Sequence, residues 1–138
     1  MSKTYVLDAN ALIALLGNED GADNVAAIYA EADSGEAEII MNAVNLLEVY
    51  YDFYRAYDKK TADEMIAHVE KSIINIVTEI DKPLVAEAGR LKAIYKMSLA
   101  DTFAVAQVIV SNGVLVTSDH HELEPIETSE GLNFMWFR

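Results

Sequence analysis

Four acidic residues stand at places in this sequence where a folded chain could gather them: Asp8, Glu48, Asp101 and Asp119. Asp8 ends the apolar, β-prone run from Thr4 to Leu7, and Asp119 follows the Val-rich run from Gly113 to Thr117. In an open α/β sheet, ligands bind outside the carboxyl ends of the strands, so both acids fall where chemistry collects. Asp101 lies in the first turn of an apolar helical segment. Glu48 has Val44, Tyr51 and Asp52 among its neighbours three and four residues away, which reads as a carboxylate set into a largely apolar helix face. Glutamate is almost never buried unless it is paired or bound to a metal. If the four acids met, they would repel, since one pair about 4 Å apart costs on the order of 4 kcal/mol at an effective dielectric of 20. Such a cluster needs a cation. Carboxylates are hard oxygen ligands suited to Mg²⁺ or Mn²⁺, and a metal so held can activate water and stabilise charge on phosphorus. The implied chemistry is hydrolysis of a phosphodiester. Three of the four also have a structural explanation, Glu48 being the hardest to dismiss: Asp8 could cap a helix, Asp101 could complete a capping box with Ser98, and Asp119 could belong to a polar turn.

The elements that must carry these acids alternate along the chain. After the Thr4 to Leu7 strand, Ala11 to Leu16 reads as a helix stopped by Gly17, and Asp23 to Ala32 as a second helix closed by the Ser34-Gly35 turn. Glu38 to Met41 is strand-like, and Asn42 can cap a helix from Ala43 to about Tyr57. A helix is predicted from Thr61 to Ser72, a half-buried strand from Ile74 to Ile80, and a helix opened by Pro83 and running to about Lys96. Leu99 to Val110 is apolar nearly all round and should be an interior helix. Gly113 to Thr117 is a strand, and Asn133 to Phe137 a last strand, at an edge. Strands alternating with helices predict an α/β fold whose central, mostly parallel sheet of four to five strands lies between helical layers.

At 138 residues and 52% hydrophobic, the chain fits one domain spanning residues 1–138, long enough to bury about two-thirds of the surface exposed when unfolded. Ten Lys and Arg against 23 Asp and Glu leave a formal charge of −13. That argues against a protein that coats polyanions, because non-specific nucleic-acid binding relies on Lys and Arg displacing counterions from phosphates. It leaves room for a nuclease that grips its substrate through a metal. The absence of cysteine excludes disulfides and thiolate chemistry and fits a reducing compartment. The early apolar stretch from Ala11 to Leu16 is far shorter than the roughly 20 residues of a membrane span. A cytoplasmic protein without a membrane segment is expected.

Taken together, these residues resemble the PIN-domain family, and within it the small VapC-type ribonuclease toxins of toxin–antitoxin pairs. The first block, an apolar strand ending in Asp and followed by a small polar residue and an apolar helix, stands here as Tyr5-Val6-Leu7-Asp8-Ala9-Asn10-Ala11-Leu12-Ile13. The others are Leu46-Leu47-Glu48-Val49, then Leu99-Ala100-Asp101-Thr102-Phe103-Ala104, then Leu115-Val116-Thr117-Ser118-Asp119. They arrive in family order and cover nearly the whole chain. The resemblance implies that Asp8, Glu48, Asp101 and Asp119 hold Mg²⁺ or Mn²⁺ and form the catalytic set, with Asn10 and Thr117 in support. It also implies an RNA substrate cut to leave 5′-phosphate and 3′-hydroxyl ends, an antitoxin protein as partner, and a homodimer. After Asp119 the family often carries basic residues and an aromatic, whereas this chain reads His120-His121-Glu122-Leu123, which touches substrate contacts more than metal binding.

Lys92 and Lys96, four apart on the predicted helix, would share a face just before the Asp101 segment and are candidate phosphate contacts. His120 and His121 invite a transition-metal reading, but adjacent residues rarely point at one ion, and exposed loop histidines are the expectation. Tyr50, Tyr51, Tyr54 and Tyr57, with Phe53, nearly encircle their helix, so part of this cluster should face the core and part could meet a partner. Three alternatives stay in view. A dehalogenase-type phosphatase would want a second Asp where Asn10 stands. A receiver domain would want an acidic pair near the first strand. A catalytically silent interaction module would keep the fold without the chemistry.

Overall fold

The alternation of apolar residues along five short strands decides the architecture. The computed structural model describes residues 3–138. In chain order it contains β1 (Lys3–Leu7), α1 (Ala9–Gly17), α2 (Ala22–Asp33), β2 (Ala37–Asn42), α3 (Ala43–Ala56), α4 (Lys59–Glu70), β3 (Asn75–Val77), α5 (Lys82–Ile94), α6 (Leu99–Ser111), β4 (Val114–Thr117), α7 (His120–Glu130) and β5 (Phe134–Trp136). The strands form one sheet in the order β3-β2-β1-β4-β5, and every neighbouring pair is parallel. The fold is therefore the expected α/β/α sandwich, with the sheet at the upper end of the four-to-five-strand expectation.

Successive residues of a strand face opposite sides of a sheet, and here both sides are buried. Tyr5, Leu7, Ile39, Met41 and Val116 pack on one side against Leu12, Val25, Ile28, Val49, Met65 and Val69 from α1 to α4. Val6, Ile40 and Leu115 face the other way, onto Leu84, Leu91, Val105, Val108 and Leu123 from α5 to α7. Val6 and Leu115 are fully enclosed, and each such side chain contributes roughly 1.5–3 kcal/mol relative to exposure. The interior helix expected at Leu99 to Val110 is α6, with Ala104, Val105 and Ala106 inaccessible to solvent.

Besides small shifts at helix ends, such as α1 closing on left-handed Asn18 and not at Gly17, two elements differ from the sequence expectation. The strand predicted from Ile74 to Ile80 is ordered as β3 only from Asn75 to Val77, because its single partner, β2, pairs with those three residues. The polar segment after Asp119, read as a turn with loop histidines, is instead the helix α7, so His120 and His121 occupy a first helical turn. Its two buried residues, Leu123 and Ile126, make too narrow an apolar stripe to register as periodicity. Pro125 further disguises it, since an interior proline removes a helical donor and is normally a breaker. β5 lies at the sheet edge, as expected.

The end of the described chain closes over the α1–α2 connection. The Asn24 side-chain amide donates to the Phe137 carbonyl at 2.9 Å, and the Phe137 N–H donates to the Thr117 carbonyl at 3.1 Å. Gly21 sits beneath this strap with φ +85°, and a β-carbon there would stand 2.3 Å from the Phe137 carbonyl oxygen. Gly35 shares the left-handed conformation, at φ +86°, but faces open space. Gly35→Ala should therefore cost only the backbone penalty of about 1–2 kcal/mol, whereas Gly21→Ala adds a backbone clash and should cost more. Urea midpoints of the two variants measure the difference, and equal losses would mean that the strap gives way freely.

Candidate metal centre

The first strand of a parallel sheet whose order runs outward in both directions leaves a crevice at its carboxyl end. Here β1 is flanked by β2 and β4, and the crevice opens where β1 and β4 end. Asp8 follows β1 directly, and its carboxylate accepts from the Ala11 N–H at 2.9 Å, capping α1. Asp119 follows β4 by one residue and caps α7, accepting from the Glu122 N–H at 3.2 Å. Asp101 enters from α6, whose N-cap is Ser98; the Ser98 hydroxyl accepts from the Asp101 N–H at 3.1 Å. Half of the expected capping box is thus present, and the Asp101 carboxyl lies between the Ser98 hydroxyl and the other acids.

One carboxylate oxygen from each of Asp101, Asp119 and Glu122 lies within 4.8 Å of the others. Asp8 stands close enough to feel the charges of Glu48 and Asp119, and Asp101 feels both Asp119 and Asp8. The sequence-derived set is thereby brought to one end of the sheet, although its tightest trio includes Glu122, which sequence reasoning passed over. The signal was there: Asp119 and Glu122 have the spacing of a helix N-cap and its third residue. Glu48 stands at the margin, half-buried on α3.

Burial is the main cause of the electrostatic strain. Asp8 is 3% exposed, and desolvation, opposed by the Thr117 hydroxyl and the Ala11 N–H and reinforced by Glu48 and Asp119, pushes its carboxyl up to about 6. Desolvation likewise raises Asp101, with contributions from Glu122, Asp119 and Asp8, to about 7. Glu48 is raised by burial and then by Asp52. None of these five acids forms a salt bridge among the described residues. A group of hard oxygen donors with no cationic side chain among them suits a divalent ion. Oxygens around Mg²⁺ at about 2.1 Å lie about 3.0 Å apart when adjacent and about 4.2 Å when opposite, so a trio within 4.8 Å of one another is near enough to converge on one ion as the side chains close in.

The supporting residues divide. Thr117 is fully buried, and its hydroxyl accepts from the Asp119 N–H at 3.3 Å while lying against Asp8. Asn10 is exposed in the first turn of α1. Asn45, which the sequence did not single out, is fully buried, and its amide donates to the Ala100 carbonyl at 2.9 Å, fixing α3 to α6 beside Asp101. Its own carbonyl oxygen has no partner among the described residues. Lys92 and Lys96 do not share a helix face, because α5 ends at Ile94 and Tyr95 is extended. The Lys92 ammonium donates to the Met97 carbonyl at 2.5 Å, bracing the loop into α6, and Lys96 is exposed. His120 and His121 do not form a metal-binding cluster among the described residues. The His120 ring stacks on Trp136 at 4.2 Å, with one nitrogen on Glu124 and the other on the Arg138 carbonyl.

A family model described as "PIN domain" matches residues 5–124. Solved structures with the same fold include VapBC from Salmonella typhimurium bound to DNA, at 16% identity and a TM-score of 0.73 over 100% of both chains. VapBC2 from Rickettsia felis, bound to a fragment of its promoter, matches at 16% identity and a TM-score of 0.70 over 96% of each chain. Mycobacterium tuberculosis VapC20, a toxin that cleaves the sarcin–ricin loop, matches at 12% identity and a TM-score of 0.69, over 93% of this chain and 95% of that one. No curated protein matches the sequence.

The raised carboxyls give a stability profile with a definite sign. An acid whose pKa is higher folded than unfolded favours the fold while protonated, and that contribution is lost as pH rises from the unfolded value through the folded one. For Asp8 and Asp101 the window runs from 3.8 to about 6 and about 7. Metal-free protein should therefore melt at a lower temperature at pH 7.5 than at pH 5, and Asp101→Asn should flatten this slope and leave stability at pH 7.5 equal or higher. Mg²⁺ should restore the wild type at pH 7.5 by linkage. Melting curves in EDTA and in Mg²⁺ make the comparison; a variant much less stable in EDTA would make Asp101 a structural cap.

Proposed function

Because the chain belongs to the PIN-domain family, we propose that it is a divalent-metal-dependent endoribonuclease, the toxin of a VapBC-type toxin–antitoxin pair. The observation that carries the reading is the convergence of Asp101, Asp119 and Glu122, with Asp8 within charge reach, at the crevice where β1 and β4 end. In this reading Asp8, Asp101 and Asp119 hold Mg²⁺ or Mn²⁺, Glu122 joins them, and Glu48 completes the catalytic set from α3. The ion, when bound, supplies Lewis acidity at the scissile phosphate and lowers the pKa of water.

The remaining roles belong to the chain. Glu48, held above the ordinary carboxylate range by burial and Asp52, is the acid suited to take a proton from attacking water. The Thr117 hydroxyl keeps Asp8 and Asp119 in register, and exposed Asn10 orients water or substrate at the crevice edge. Attack at phosphorus with departure of the 3′-oxygen leaves a 5′-phosphate and a 3′-hydroxyl. With a formal charge of −13, the protein should bind RNA through this site and little elsewhere.

The partner reading rests on α3. Leu47, Tyr54 and Tyr57 are 58%, 48% and 67% exposed, an apolar and aromatic surface along α3 and its C-cap that suits an antitoxin segment. We further propose that the chain acts as a homodimer in the cytoplasm. Among the described residues no helix is long and apolar enough to cross a membrane.

Purified protein incubated with total RNA in Mg²⁺, Mn²⁺ or EDTA tests the activity. Cleavage should require the ion and fall at least about 100-fold in Asp8→Asn and Asp101→Asn. Cleavage that persists in EDTA, or in both variants, would remove the mechanism.

A further inference from the structure

Beside the acidic trio the surface opens into a cleft of about 470 Å³ lined by Tyr95, Lys96, His121, Glu122, Pro125 and Ile126. Glu122 belongs to both, so the cleft begins where the candidate metal centre ends. Three other surface depressions, on α4, between α1 and α3, and against α1 and α2, include none of the clustered acids. We propose that this cleft is a nucleotide subsite, holding one ribonucleotide of a single-stranded RNA next to the phosphate that is cut. The inference rests on the ribonuclease reading above and adds to it the place and the residues that select substrate.

The walls are built and braced. On one side the loop carrying Lys96 is tied down by the Lys92 bond to the Met97 carbonyl. Tyr95 is held by its hydroxyl, which donates to Glu130 at 2.6 Å, and Arg90 bridges Glu87 and Glu130 at 2.9 and 2.6 Å. On the other side α7 is pinned at its start by the stacked and doubly hydrogen-bonded His120. His121, one residue on, is exposed and makes no hydrogen bond among the described residues. The two adjacent histidines thus divide between anchoring and display. The cleft falls in the range of roughly 300–1,000 Å³ typical of sites for small organic groups.

Its chemistry matches a nucleotide. Lys96 is the one cation of the lining and is in no ion pair among the described residues. By contrast Lys59, Lys60, Arg90 and Arg138 are all spent on neighbouring carboxylates. On a protein of charge −13, an unpaired ammonium beside the acids is where an incoming phosphate is attracted rather than repelled. The Tyr95 and His121 rings offer flat faces for an unstacked base, the usual way proteins hold single-stranded RNA. Pro125 and buried Ile126 supply an apolar floor. Binding here threads the strand across Glu122 toward Asp101 and Asp119.

Cleavage sites on total RNA, mapped by sequencing the new ends, test the subsite together with Mn²⁺ affinity measured by titration without RNA. Lys96→Glu should lower the cleavage rate about tenfold at subsaturating RNA and flatten its salt dependence by about 0.7 in the log–log slope, the share of one single-strand phosphate. His121→Ala should weaken the base preference at one position beside the cut. In both variants Mn²⁺ should bind as in the wild type. If wild type cleaves and both variants keep its rate, salt slope and base preference, the subsite is wrong and the nuclease stands. Loss of Mn²⁺ affinity in either variant would show an effect through the acids and also remove the subsite. If wild type cleaves nothing with any metal, the nuclease reading and the nucleotide fall together.

Discussion

Burial of carboxylates that the sheet also forces together is the constraint around which this molecule is arranged. A parallel sheet whose strand order reverses between β1 and β4 brings the loops after those strands side by side, with Asp8 directly after β1 and Asp119 one residue beyond β4. Three helices offset the charge. α1 is capped by Asp8, α6 by Ser98, three residues before Asp101, and α7 by Asp119. Each N-terminus presents free N–H groups and a partial positive charge of roughly half a unit. The Ala11 and Glu122 N–H groups are spent directly on Asp8 and Asp119. This lets the fold form with its acids clustered, yet three partial charges do not neutralise five carboxylates, and Asp8 and Asp101, first because they are buried and then because of their acidic neighbours, remain hard to ionise. The remainder is what a divalent ion is suited to supply.

The sequence made most of this frame readable because the relevant signals are local. Strand alternation at Thr4 to Leu7, a Val-rich run before Thr117, and acids just beyond each depend only on neighbours a few residues apart. α6 declared itself by being apolar all round. What stayed hidden depends on distant partners. β3 stops at Val77 because β2 offers it three residues to pair with, a limit that the alternation out to Ile80 does not contain. α7 is held by two buried side chains, its cap and the stacking of His120 on Trp136, so its amphipathic pattern is faint and Pro125 contradicts it. Missing the helix meant missing Glu122, whose place in the trio follows from being one turn past the Asp119 cap. Asn45 escaped notice for a related reason: a buried amide on an otherwise apolar helix face acquires meaning only when the Ala100 carbonyl of α6 arrives beside it.

The distribution of positive charge sharpens the same point. The sequence places eight of ten Lys and Arg between Arg55 and Lys96, which suggests a basic face. In the folded protein Lys59 and Lys60 pair with acids one turn away on α4, and Arg90 spans Glu87 and Glu130. Arg55 lies over the Tyr51 ring, and Lys92 caps a loop carbonyl. Proximity in sequence therefore produces little free positive surface. Lys71 and Lys82, like Lys96, are in no ion pair among the described residues, but neither lines the cleft that Glu122 shares with the acidic trio, and Lys96 does.

The far end of the described chain also bears on the site. Arg138 donates to the Asp20 carbonyl at 3.0 Å and to the Ser118 hydroxyl at 3.4 Å, and its own carbonyl meets His120 at 2.8 Å. Ser118 and His120 flank Asp119, so the acid that closes the trio is held from both sides by a residue 19 positions later. The same segment crosses Gly21 and bonds to Asn24, which joins the start of α2 to the start of α7. Individually these exposed contacts are worth little, because solvent screens the charges. Their effect is geometric: they restrict the orientation of a short polar helix that has few apolar contacts of its own. A helix so weakly packed would otherwise carry Asp119 and Glu122 away from Asp101, since separation relieves repulsion. The strap opposes that drift, and thereby keeps the acids close enough to share one ion.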